Sequence, residues 1–193
     1  MLDNPSLRQA VGNSLLIAVS SSVIATILGI FAARSATRYD YPFKGGIIGL
    51  IMLPLVMPEI ILAVALLVVL LGIGVPLGLF TVILGHVLVC TPFTIAILNG
   101  AFMSLDKSLE EAAYDLGETR ISTFRLIILP LVAPGIVSSL LISFTISLDE
   151  FIMAFFLAGS EATLPGYIWG QLRFAAKLPG VLALGTLLLV GSF

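Results

Sequence analysis

Apolar residues in this chain come in long blocks, not in alternation. Five blocks stand out, at about Ser14–Ala33, Ile47–Leu71, Phe80–Phe102, Leu131–Ala158 and Val181–Phe193. A helix needs about 20 apolar residues to cross the roughly 30 Å hydrocarbon core of a bilayer. Four blocks reach that length. The fifth, at about 1.5 Å per residue, covers only about 20 Å. The pattern predicts an all-α, polytopic membrane helix bundle with five spans, forming one transmembrane domain over 1–193. The first block carries small residues at four-residue spacing, Ser14, Ala18, Ser22 and Thr26, with Ala25, Gly29 and Ala33 beside them. Small faces let helices approach closely in lipid. The second block is interrupted by Pro54 and Pro58. That predicts a broken helix whose freed backbone groups face protein or a cavity. The fourth opens on Pro130 and Pro134 and carries a hydroxyl stripe, Ser139, Ser143 and Ser147.

Composition supports lipid as the solvent. The chain is 59% hydrophobic and 10% charged, with a mean hydropathy of +1.18; a soluble domain carries about 25% charged residues. The net charge of −2 gives no support to nucleic-acid binding. One cysteine, Cys90, and one histidine, His86, leave no internal disulfide and no Cys- or His-rich metal site. Basic residues then give an orientation. Arg34, Arg38, Lys44, Lys107, Arg120 and Arg125 fall on one side of the expected spans, and Arg8, Arg173 and Lys177 on the other. The positive-inside rule places the loop at about 104–130 in the cytoplasm and the N-terminus outside. The first block is too long for a signal-peptide core. An outside N-terminus without a leader predicts one more span upstream, and the short fifth block predicts a span cut part-way. The expected parent has six spans.

The loop between the third and fourth blocks has its own pattern. Leu109, Ala112, Ala113 and Leu116 lie at i, i+3, i+4 and i+7, one face of a short helix, beside acidic Glu111, Asp115 and Glu118. Either Ser108 with Glu111 or Asp106 can begin that helix. Gly117 suits the left-handed position that ends it. Thr119 can cap a second short helix to about Leu129, with Pro130 starting the next span. The elbow could rest on lipid headgroups or dock on a protein. Its acidic face disfavours the anionic headgroups of the cytoplasmic leaflet.

The loop also contains E-A-A, three residues, G, nine residues and I-x-L-P, filled by Glu111, Ala112, Ala113, Gly117, Ile127, Leu129 and Pro130. This spacing resembles the signature loop of the permease subunits of binding-protein-dependent ABC importers, and the resemblance covers essentially the whole chain. It implies the type I importer permease fold. It also implies that the loop is a coupling helix seated on a cytoplasmic ABC ATPase dimer. A second permease subunit, usually a different chain, and a periplasmic or lipid-anchored substrate-binding protein would complete a complex in the bacterial inner membrane. The chain has no G-x-x-x-x-G-K-[ST] phosphate loop, so ATP hydrolysis would belong to the partner. No cofactor is implied.

Glu59, Asp149 and Glu150 lie in or at the ends of apolar blocks, where no Lys or Arg does. Ionised groups there are costly and commonly mark a pathway. Counted from Leu131, Asp149 comes about 27 Å along a helix, near the outer end of the expected fourth span. Acids without basic partners suit a cationic substrate. They equally allow a headgroup-level pair and a helix cap. The strings LPLVMPEIILAVALL, GHVLVCTPFTIAIL and SFTISLDEFIMAFFLAG resemble the spermidine/putrescine branch of these permeases. That implies a polycation, held by acids and by Phe151, Phe155 and Phe156. Related branches carry ferric iron, thiamine or sulfate. Beside these readings stand an ion-coupled carrier, with Glu59 or Asp149 cycling protons, and a Ser–His membrane hydrolase. His86 and Cys90 read as buried packing residues, and Tyr167 and Trp169 as interfacial anchors.

Overall fold

The computed structural model describes residues 4–174, 179–180 and 182–186. Helices follow one another along them: α1 (Pro5–Arg38), α2 (Lys44–Met52), α3 (Glu59–Gly72), α4 (Leu79–Met103), α5 (Lys107–Asp115), α6 (Arg120–Thr123), α7 (Leu129–Asp149), α8 (Ile152–Leu157) and α9 (Leu164–Gln171). No strand occurs among the described residues.

The bundle is built on α1, α4 and α7, which pack together along their lengths. The small residues of α1 make this possible. Ser14, Ala18, Ser22, Ala25, Thr26, Gly29 and Ala33 are all buried, as their spacing predicted. A Cβ on Gly29 would stand 2.8 Å from Thr94 Cβ, and one on Gly135 2.7 Å from Ala101 Cβ. Two apolar clusters fill the bundle. One gathers Ala63, Leu70, Val82, Val89, Met153 and Leu157, the other Ala33, Leu98, Phe102, Ile128 and Val132. The lipid-like outer face is also apolar: Phe31, Val68 and Phe80 are exposed.

A buried polar chain links the three helices. Ser147 Oγ lies 2.8 Å from Ser21 Oγ and 2.7 Å from His86 Nδ1. The hydroxyl stripe of α7 therefore faces the bundle, and Ser139, Ser143 and Ser147 are buried. Cys90 is buried and donates to Ser143 O at 3.5 Å.

Among the described residues, three helices, Pro5–Arg38, Leu79–Met103 and Arg120–Asp149, are long and apolar enough to cross a membrane. The second apolar block is not one straight span. Lys44–Leu55 and Glu59–Gly72 meet at 108°, because Pro54 and Pro58 remove the donors that would carry the helix through. The fourth block, expected as one span over Leu131–Ala158, is also corrected. Its helix starts earlier, at Arg120, and α7 ends at Asp149. The chain then turns, and α8 runs separately against α3 and α4. Among the described residues there are thus three candidate spans, or four counting the bent pair, where four of the expected five fall. Most of the fifth block, Val181–Phe193, lies outside the described residues.

Pro130 stands in the first turn of α7, as expected, but no break separates α7 from the elbow. A π turn over Phe124–Ile128 joins α6 to α7, and Leu129 N–H donates to Phe124 O. The wider turn comes directly before the proline, whose ring would press on the carbonyl four residues back.

Candidate functional site

One end of the bundle carries an elbow made of α5, Gly117 and α6. Asp106 begins α5, its carboxylate accepting from Ser108 N–H at 2.9 Å. That bond holds the Asp106 carboxyl below its ordinary range and decides between the two possible starts. Gly117 has φ +87°, the left-handed ending its sequence position predicted. Thr119 then caps α6 through Ser122 N–H. Of the signature residues, Glu111, Ala112, Gly117 and Pro130 are exposed, Ile127 and Leu129 half-buried, and Ala113 buried. The anticipated apolar face of α5 splits accordingly. Ala113 packs inward, while Leu116 is 86% exposed, with Ile121 beyond the elbow at 80%. Burial of one such side chain by a partner is worth about 1.5–3 kcal/mol.

Sequence spacing missed what holds the elbow in place. Arg38 Nε donates to Glu110 Oε1 at 2.8 Å, and its Nη2 donates to Leu105 O at 2.8 Å. Arg34 Nη2 lies 3.5 Å from Glu110 Oε2, and its guanidinium sits 4.7 Å above the Phe124 ring. Glu110, Arg34, Arg38 and Phe124 were not among the expected site residues. The only sequence signal was an acid four residues after the α5 cap and two arginines one turn apart on α1.

The acids expected to form the substrate path lie elsewhere in the bundle, and of them only Asp149 and Glu150 adjoin, as chain neighbours. Ser147, two residues before Asp149, bonds His86, which lies about 10 Å into α4. Asp149 is the last residue of α7, and that terminus lies beside the first third of α4. Glu150 is buried, and its Oε1 accepts from Met153 N–H at 3.0 Å, capping α8. Glu59 heads α3, against which α8 packs. Asp149 is exposed and lines a 190 Å³ cavity with Phe151, Pro165, Ile168, Trp169 and Leu172. Phe151 stacks with Trp169 at 5.5 Å and with Phe155 at 5.4 Å, and Phe155 meets Phe156 edge-on. Trp169, expected as an interfacial anchor, thus joins the acid-lined cavity. Tyr167 accepts from Asn4 through its hydroxyl at 3.2 Å. No cluster of His, Cys, Asp and Glu among the described residues could hold a metal.

Comparison with known proteins decides the class. The family described as binding-protein-dependent transport system inner membrane component matches residues 25–193. The chain belongs to this family. Among the relatives of this inner membrane component is the putrescine transport system permease protein PotI of Escherichia coli K12. It is 38% identical over 98% of this chain and 70% of its own length. The spermidine/putrescine transport system permease protein PotC of the same strain is 34% identical over 100% of this chain and 73% of itself. The inward-facing MetNI methionine ABC transporter shares the fold, with a TM-score of 0.72 at 19% identity, covering 97% of this chain and 88% of that one. The architecture is that of an ABC importer permease in the inner membrane.

Proposed function

We propose that this chain is the substrate-conducting permease subunit of a polyamine importer, driven by a separate ATPase. The observation that carries the reading is the elbow. Its E-A-A residues stand on α5, Gly117 turns left-handed, and the I-x-L-P residues lie on a helix running unbroken to Asp149. Glu111, Ala112 and Gly117, with Leu116 and Ile121 beside them, form the surface offered to a cytoplasmic ABC ATPase dimer; Ala113, Ile127, Leu129 and Pro130 hold its shape. The excess of basic residues at this end supports a cytoplasmic position. ATP hydrolysis belongs to the partner. A second permease, a different chain in this branch, completes the path, and a substrate-binding protein delivers cargo to it.

Spermidine and putrescine are the cargo named for PotC and PotI. The chemistry of the path agrees with them. Glu59, Asp149 and Glu150 supply negative charge, and Phe151, Phe155 and Trp169 supply aromatic faces for an ammonium group. The test is uptake of radiolabelled putrescine and spermidine by the whole importer. Asp149→Asn with Glu150→Gln should cut uptake while the ATPase still co-purifies. Unchanged uptake kinetics in that double variant would refute the cationic path. Retention of the ATPase by Glu111→Lys would refute the elbow reading.

A further inference from the structure

We infer that Arg34, Arg38 and Glu110 form a positioning latch that makes the elbow and α1 move as one body. The inference rests on the elbow being the ATPase contact. The two arginines stand one helical turn apart at the end of α1 and reach three successive pieces of the elbow end. Arg38 holds the carbonyl of Leu105, just after α4, and the Glu110 carboxylate on α5. Arg34 meets the other Glu110 oxygen and covers Phe124 in the π turn. The side chains of all three residues are 9–13% exposed, so water screens the pair poorly. The remaining fixings of α5 are weaker. Its cap is exposed at Asp106 and only Ala113 on it is buried. Without Glu110, only Ala113 and two short pieces of chain would join α5 to the bundle. A displacement of α5 would then be absorbed in those joints instead of reaching α1, which packs against α4 and α7.

Arginine is required for this geometry. One planar fork reaches Glu110 and Leu105 O together, which a lysine ammonium on the same stem does not reproduce. Glu110 is a separate element from the signature Glu111, which is exposed and free to face a partner.

The test uses the whole importer in nanodiscs, with spin labels at Gly12→Cys on α1 and Ser108→Cys on α5. Both positions are exposed, and Cys90 is buried. In the otherwise native chain the distance between labels should be the same with no nucleotide and after trapping with ATP and vanadate. In Glu110→Gln and in Arg38→Lys it should broaden and shift on trapping. Uptake of putrescine per ATP hydrolysed should fall about tenfold with the ATPase still bound. A distance distribution in both variants as narrow and fixed as the native one would overturn the latch. So would an unchanged ratio of uptake to hydrolysis. Arg38→Lys keeps the charge and guards against a Glu110→Gln chain that does not assemble. If Glu111→Lys leaves the ATPase bound, the elbow reading has failed instead, and the distances report that separately.

Discussion

Gly117 tests the elbow most directly, because its environment isolates one cause. Its φ is +87°, and a Cβ placed there would meet nothing within 4 Å. Replacement by alanine therefore adds no collision. It adds only the penalty of a left-handed L-residue, about 1–2 kcal/mol. If the partner recognises the elbow in this conformation, that energy lowers its population by a factor of about 5–30. The affinity of purified ATPase for the permease should fall by the same factor. Asparagine tolerates left-handed backbone better than alanine, so Gly117→Asn should weaken binding less, despite its larger side chain. Titration of labelled ATPase onto nanodisc-embedded permease measures all three chains. Native affinity for Gly117→Ala would refute the argument. So would an asparagine variant as weak as the alanine one, since bulk and not backbone conformation would then be responsible.

Other substitutions separate causes in the same way. Ser147→Ala removes the partner of His86 Nδ1 and of Ser21; it should lower stability by about 1–3 kcal/mol, read as an earlier thermal transition in detergent. Gly135→Ala brings a Cβ to 2.7 Å from Ala101 Cβ, whereas Gly100 has open space around it. The first should destabilise the fold by about 1–3 kcal/mol and Gly100→Ala should not, and equal melting of the two would contradict the packing. Glu150→Gln keeps an acceptor for Met153 N–H, whereas Glu150→Ala removes it. Both should impair polyamine uptake, but only the alanine should also lose about 1 kcal/mol of stability, seen by chemical denaturation.

The parts legible in the sequence were those governed by local rules. Small residues at four-residue spacing on α1 can only line one helical face, and that face is buried. Gly117 and Thr119 were readable because an elbow between helices needs a left-handed residue followed by a cap. Hydropathy failed at Asp149. It averages over a window, so two carboxylates amid apolar residues did not interrupt the block, although the backbone turns there and Glu150 caps the next helix. The 108° bend was legible as a break at Pro54 and Pro58 but not as an angle, since the direction of α3 depends on its packing against α8. The latch was illegible for another reason. Glu110 and Arg38 are 72 residues apart, and no spacing rule links them until α1 and α4 are laid side by side.

The two candidate sites lie at opposite ends of one helix, and this constrains how they can communicate. From Leu129 to Asp149 the chain runs about 30 Å without a break. Its lower end is stiffened by packing on Phe102 and Ala33, and its upper end by the Ser147 bonds to His86 and Ser21. A close-packed helix with both ends pinned to its neighbours does not transmit motion by bending; it moves with them. The adjustable places are the π turn on one side and the break at Glu150 on the other, where backbone hydrogen bonding changes register. Helix α8 beyond that break packs on α3 and α4, so a rigid shift of α1, α4 and α7 would reach α8 and the α3 face it packs on. Displacement at the elbow would then arrive at the break beside Glu150, one of the carboxylates proposed for the cation path.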